Sequence, residues 1–144
     1  MTRPRTRNRP LASHWLIATA HMAPAIAWAA VIYAFSSNSS PSVGALGFEK
    51  GQWAPSTVLL HGAEYAVLAT LLIAGMRLLA ARRFGRAVTA QREAKILVIS
   101  AVLSILYGIS DEIHQGTVAG RDASIADVFS DAAGTAIAVA AAYG

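Results

Sequence analysis

The sequence predicts an all-α fold, an integral membrane four-helix bundle with both termini cytoplasmic, and three observations lead there. Of 144 residues, 55% are hydrophobic and only 14% are charged, against about 25% charged in an average soluble domain. The apolar residues gather into four blocks, each near the ~20 residues that cross about 30 Å of hydrocarbon as a helix. The bases and the acids are segregated along the chain, which matters more than the net charge of +4. A mean hydropathy of +0.47 argues against a disordered chain and against a soluble enzyme built around a wide aqueous cleft. The absence of cysteine excludes a disulfide framework, a thiolate metal site and a cysteine nucleophile.

Span one is expected from Trp15 to Phe35, which carries no formal charge. Pro24 lies inside it and is tolerated in a membrane bundle, where neighbouring helices satisfy the freed backbone. Span two runs from Ser56 to Met76 with His61 and Glu64 near its start, and span three from Ile96 to Gln115 with Asp111, Glu112 and His114 near its end. Span four runs from Ser124 to Tyr143 with Asp127 and Asp131 near its start. It is rich in alanine around Gly134, and such small residues allow close backbone approach, so span four is the expected central helix. Residues 1–14 read as a basic cytoplasmic tail and 15–144 as the membrane domain.

Orientation follows from where the bases lie. Arg3, Arg5, Arg7 and Arg9 precede span one without an acid, and Arg77, Arg82, Arg83, Arg86, Arg92 and Lys95 lie between spans two and three against Glu93 alone. Those segments are expected in the cytoplasm, which puts the loops after spans one and three outside. The first span is too long for a secretory signal core and leads into further spans, so it is read as retained. The N-terminal arginines are read as topology determinants rather than a nucleic-acid site; the expected partner is the lipid bilayer and not nucleic acid.

On this topology the titratable groups of the spans, His21 excepted, converge on one outer layer. His61, Glu64 and Tyr65 share one face of span two at i, i+3 and i+4; Asp111, His114 and Gln115 repeat that spacing on span three. Asp127, Asp131 and Gly134 line one face of span four, Ser124 stands where an N-cap is expected, and Arg121 follows Gln115 as a lid or ion-pair partner. Ionisable groups in a span cost about 2.5–3.5 kcal/mol each at its centre and less near its end. Five acids against one arginine imply that some are neutralised by a proton or a bound cation.

Three readings compete. A structural polar layer fixes helix register. A pocket takes a ligand or lipid head group: His61, Glu64, Asp111, Glu112 and His114 would do acid/base work, while Tyr65, Gln115, Arg121, Ser124, Asp127 and Asp131 would bind. A mixed nitrogen and oxygen metal site draws on His61, Glu64, His114 and the carboxylates, although no standard zinc motif is complete. No cofactor is specified. His14 and His21 fall outside the layer, and Trp15, Trp53 and Tyr143 suit the aromatic belt.

The run Asp111-Glu112-Ile113-His114-Gln115, then Gly120-Arg121, Ser124, Asp127 and Gly134, resembles the signature of the VanZ-like family of small bacterial membrane proteins. His61, Tyr65 and Leu68 resemble the family's pattern on span two, and Phe35-Ser36-Ser37 its serine-rich segment after span one. The resemblance covers about Val31 to Gly134. Val58 stands where a lysine is expected, Thr117 and Ala119 where an aromatic and a proline are, and Asp131 where asparagine is common. The resemblance implies a four-helix integral membrane protein of the bacterial inner membrane, in a family whose namesake is associated with resistance to the glycopeptide teicoplanin. The expected function is engagement of an envelope lipid, glycolipid or glycopeptide-related ligand by an outward-facing acidic pocket. The alternative is an accessory subunit of a larger membrane complex; transport fits four spans poorly.

Overall fold

The computed structural model describes residues 11–38, 55–85 and 89–144, with side chains from 18 onward in the first helix and from 58 onward in the second. The structure is all-α: α1 (Leu11–Ser36), α2 (Pro55–Phe84), α3 (Ala90–Gln115) and α4 (Ile125–Tyr143). Each contains a stretch long and apolar enough to cross a membrane. Arg3, Arg5, Arg7, Arg9, Trp53 and Arg86 lie outside the described residues, as do the side chains of His14 and Trp15.

The helices overrun the hydropathy blocks at one end. α2 continues past Met76 to Phe84, and α3 begins at Ala90 rather than Ile96. Hydropathy finds only the lipid-facing part of a helix, whereas here the polar turns are held by their own contacts. Arg77 donates through Nε and Nη2 to Glu93 Oε1 at 2.8 and 2.5 Å, and through Nη2 to the Ala142 carbonyl at 2.7 Å. One guanidinium thus joins α2, α3 and the last turn of α4. Arg92 stacks over the Phe84 ring with its guanidinium carbon 3.9 Å from the centroid. Gly85, at φ 83°, ends α2 in a left-handed conformation that suits glycine, and Thr89 Oγ1 accepts from the Arg92 N–H to start α3.

Successive helices are antiparallel, so α2 and α4 run parallel. They make the most extensive pairing, and α2 packs against all three other helices. Among the described residues α4 touches α2 and α3 only, so α2 rather than α4 is central. The sequence expectation gave α4 that place because of its alanines, but a small-residue helix packs closely without having to be surrounded. A Cβ built on Gly134 would overlap the Gly62 carbonyl oxygen and lie 2.7 Å from its carbon. On the other side of α2, a Cβ at Gly75 would lie 2.8 Å from the His21 carbonyl oxygen of α1. These glycines bring helix backbones into contact, the source of association where apolar side chains gain nothing from leaving lipid.

The polarity of the interior is reversed. Ser100, Ser104, Asp111, Glu112, Gln115, Asp127, Ser130, Asp131 and Thr135 are buried. Ile125 and Phe129 are 77% and 71% exposed, and Ile26, Leu59, Ile113 and Ile137 also point outward. A water-soluble protein does the opposite. Apolar packing holds two regions: Ala25, Ile32, Tyr65, Leu68 and Leu72 between α1 and α2, and Ile73, Ile96 and Leu97 between α2 and α3. Ser104 and Thr135 hydroxyls join α3 to α4 at 2.8 Å.

Gly134→Ala is expected to destabilise the detergent-solubilised protein by about 2 kcal/mol or more, because the added Cβ meets backbone that has no rotamer to yield. Ala133→Leu, on the exposed face of the same turn, is expected to stay within about 0.5 kcal/mol of the parent. Thermal or denaturant unfolding of the two variants checks this.

Candidate functional site

The sites flagged in the sequence lie at the bundle end formed by the end of α1, the start of α2, the end of α3 and the start of α4. α2, α3 and α4 each contribute a buried stripe at three- and four-residue spacing, made of small or polar residues on α3 and α4. On α3 it is Ser100, Ser104, Gly108, Asp111 with Glu112, and Gln115; on α4 it is Asp127, Asp131, Gly134 and Ala138. On α2 the stripe begins at His61 and continues through Tyr65 and Leu68.

His61 is the hinge of the cluster. Its Nδ1 lies 3.2 Å from Asp131 Oδ1 and its Nε2 lies 3.8 Å from Asp127 Oδ2. The carboxylate of Asp131 accepts only, so the first contact is read with the proton on Nδ1. Glu112 meets them from α3: its Oε2 accepts from the Ser124 backbone N–H at 2.7 Å, while Oε1 has no hydrogen-bond partner among the described residues. One ligand-type atom each from His61, Glu112 and Asp127 lie within 4.8 Å of one another. The three residues are buried, and Asp131 below them is only 1% exposed.

The acids are under-satisfied. Asp111 Oδ2 accepts from Gln115 Nε2 at 2.8 Å, yet Asp111 Oδ1, Glu112 Oε1, Asp127 Oδ1, Asp131 Oδ2 and the Tyr65 hydroxyl are buried without a partner among the described residues. Such atoms cost about 1–3 kcal/mol each, and more if charged. Gly108 leaves room for them, since a Cβ there would lie 2.9 Å from Asp131 Oδ2 and 3.2 Å from the Tyr65 ring.

Not every sequence candidate joins this group. His114 turns toward α1, where its ring stacks on Tyr33 with centroids 4.7 Å apart and its Nε2 lies 3.0 Å from Ser37 Oγ. It therefore leaves the face it was expected to share with Asp111 and Gln115. Arg121 forms no ion pair among the described residues. Its Nη1 donates to Gln115 Oε1 at 2.8 Å, and its Nε and Nη2 donate to the carbonyls of Asn38 and Phe35 at 3.2 and 3.3 Å. It caps the carbonyl end of α1, a favourable place for a cation, and reaches the acids only through Gln115. Glu64 is half-buried, and its backbone carbonyl accepts from Trp28 Nε1 at 2.9 Å. Ser124 precedes α4 without a side-chain cap bond; its backbone N–H goes to Glu112 and its hydroxyl to the Asp127 carboxylate.

The expected metal reading drew on His61, Glu64, His114 and several carboxylates. Among the described residues the structure groups His61 with two of those carboxylates, Glu112 and Asp127, and not with Glu64 or His114. The i, i+3 spacing on one helix suggested Glu64; the crossing of three helices makes the observed set. The signal that was present is the small or polar residue every fourth position on α3, Ser104, Gly108 and Glu112, which marks the buried side. Two shallow grooves, of about 240 and 310 Å³, lie elsewhere between α2 and α4, lined by residues such as Thr70, Ala138 and Ala141. They touch none of the cluster.

Four lipid-length helices with apolar exteriors and a buried polar end define a polytopic membrane protein. The VanZ/LLP1 family model matches residues 21–143, and the chain belongs to that family. No curated protein and no solved structure matches it.

Breaking the buried His61–Asp131 pair by Asp131→Ala is expected to cost about 3 kcal/mol. Combined with His61→Ala, the loss is expected to fall short of the sum by about 1 kcal/mol or more. A double-mutant cycle on detergent-solubilised protein measures the coupling, and additive losses would show that the two side chains do not interact.

Proposed function

We propose that this VanZ-family protein sits in a bacterial cytoplasmic membrane with its polar end outward and engages the head group of an envelope lipid or glycolipid there. The observation that carries the reading is the set of buried carboxylate oxygens, on Asp111, Glu112, Asp127 and Asp131 at one end of the bundle, that have no partner among the described residues. Membrane proteins retain ionisable groups in their spans chiefly where these groups act.

Orientation rests on charge. Arg77, Arg82, Arg83, Arg92 and Lys95 lie at the opposite end, around the connection between α2 and α3, and a connection so rich in bases belongs in the cytoplasm. The acid-bearing end then meets ligands from outside, as a glycopeptide-related molecule would arrive. Unpaired carboxylate oxygens accept hydrogen bonds, so they suit a head group rich in hydroxyl or amine donors, such as a sugar. Glu64, His114 and Arg121 are half-buried and are the groups such a ligand reaches first. The same side chains suit proton transfer, and His61 and Glu112 are the pair best placed for it.

A second reading has its own observation. Ala133, Ala136 and Ala140 form an exposed strip of small side chains along the outer side of α4, the kind of surface on which another membrane helix packs closely. An accessory subunit of a larger complex would use it.

Lipids retained by the purified protein test the first reading by mass spectrometry. Wild type is expected to carry an envelope lipid or glycolipid, and Glu112→Gln, His114→Ala and Arg121→Ala variants that still fold are expected to retain several-fold less. Equal retention by all three contradicts head-group engagement. A stoichiometric protein partner, lost on Ala136→Leu, would favour the subunit.

A further inference from the structure

We propose that His61, Glu112 and Asp127 form a binding site for one divalent metal ion, of the kind that accepts mixed imidazole and carboxylate ligands, such as zinc or manganese. This goes beyond the head-group reading and does not depend on it, because the metal alone is the ligand.

The geometry is that of ligands waiting for a centre. Metal bonds of about 2.0–2.2 Å to nitrogen and oxygen place neighbouring tetrahedral ligands about 3.4 Å apart. His61 Nε2 and Asp127 Oδ2 are 3.8 Å apart, too far for a hydrogen bond and a few tenths of an ångström wide of the metal-bound separation. The ligand atoms of the whole trio fit within 4.8 Å. The three residues come from α2, α4 and α3, so a small shift of side chains closes the set without unwinding a helix.

Two further contacts aim the ligands. Metal-bound histidines commonly donate their other ring N–H to a carboxylate, which fixes the tautomer. His61 has that arrangement: Nδ1 faces Asp131 Oδ1 at 3.2 Å, leaving the Nε2 lone pair toward Asp127. Glu112 is held in the same way, with Oε2 accepting from Ser124 N–H at 2.7 Å and Oε1 left free. Glu112 and Asp127 are 4% and 5% exposed, and each has a buried oxygen without a partner among the described residues. Those orphan atoms are the independent sign that a ligand belongs there.

Charge balance supports a cation of charge two. Within the ligand set two carboxylates, a neutral imidazole and a divalent ion sum to zero, which offsets part of the cost of ionised groups in a span. One nitrogen and two oxygens suit borderline to hard first-row cations. Three protein ligands also leave a coordination position open, where water or an oxygen of a second ligand binds. Asp131 acts in this account as a positioning residue, not as a ligand.

Tagless protein purified in detergent without chelator is expected to hold about one equivalent of zinc or manganese by elemental analysis. After chelation, adding zinc chloride or manganese chloride is expected to raise the melting temperature. Glu112→Gln and Asp127→Asn preserve side-chain shape, and they are expected to melt near the metal-free parent yet lose the metal response. Asp131→Asn is expected to bind metal roughly 10–100-fold more weakly. The proposal is overturned if metal-free wild type shows neither binding nor a melting shift, or if folded Glu112→Gln and Asp127→Asn respond as wild type does. Should one variant fail to fold, the other, together with direct metal titration of wild type, decides.

Discussion

Everything at the polar end depends on how closely α2 and α4 cross. At Gly62 and Gly134 no Cβ intervenes, and the two backbones touch. His61, the neighbour of Gly62, is thereby set against Asp127 and Asp131 of α4. The same approach lets Ser130 Oγ donate to the Val58 carbonyl one turn earlier in α2. α3 then closes the third side, where Ser104 meets Thr135 and Glu112 takes the Ser124 N–H. A wider crossing would leave three separate polar helix ends rather than one cluster.

The energetic character of the bundle follows. Apolar burial contributes little between helices already surrounded by lipid, so packing and polar contacts must hold them together. The two ends are held differently. At one, Arg77 reaches Glu93 and the Ala142 carbonyl, a charge neutralised in place. At the other, carboxylates outnumber their partners and several oxygens are left over. Fully satisfied polar networks make a structure rigid, whereas partly satisfied ones are costly. The contrast is what supports the proposal that the second end is the functional one.

Much of this was legible in the sequence. Four apolar blocks and their polar breaks identify the helices, because crossing a bilayer demands length and hydropathy that few other structures share. That His61, Glu112, Asp127 and Asp131 lie at one end of the bundle follows from alternating helix direction alone. What failed to appear depended on contacts distant in sequence. α2 extends to Phe84 through bonds to α3 and α4. His114 leaves the cluster because Tyr33 and Ser37 of the α1 end receive it, and Arg121 does so because the α1 carbonyls offer a better place than the acids. The trio His61, Glu112 and Asp127 needs a helix crossing that no local motif encodes; the H-x-x-E spacing pointed to Glu64 instead.

The closeness of α2 and α4 can be tested directly, because the chain has no cysteine of its own. A Cβ at Gly62 would lie 3.3 Å from Ser130 Oγ, within disulfide reach. Gly62→Cys with Ser130→Cys, oxidised mildly in native membranes, is expected to form an intrachain disulfide in nearly all molecules. Leu78→Cys with Phe129→Cys, both exposed and at opposite ends of the bundle since Arg77 bonds Ala142, is expected to form none. Failure of the first pair to cross-link, or equal cross-linking of both, would contradict the crossing on which the site is built.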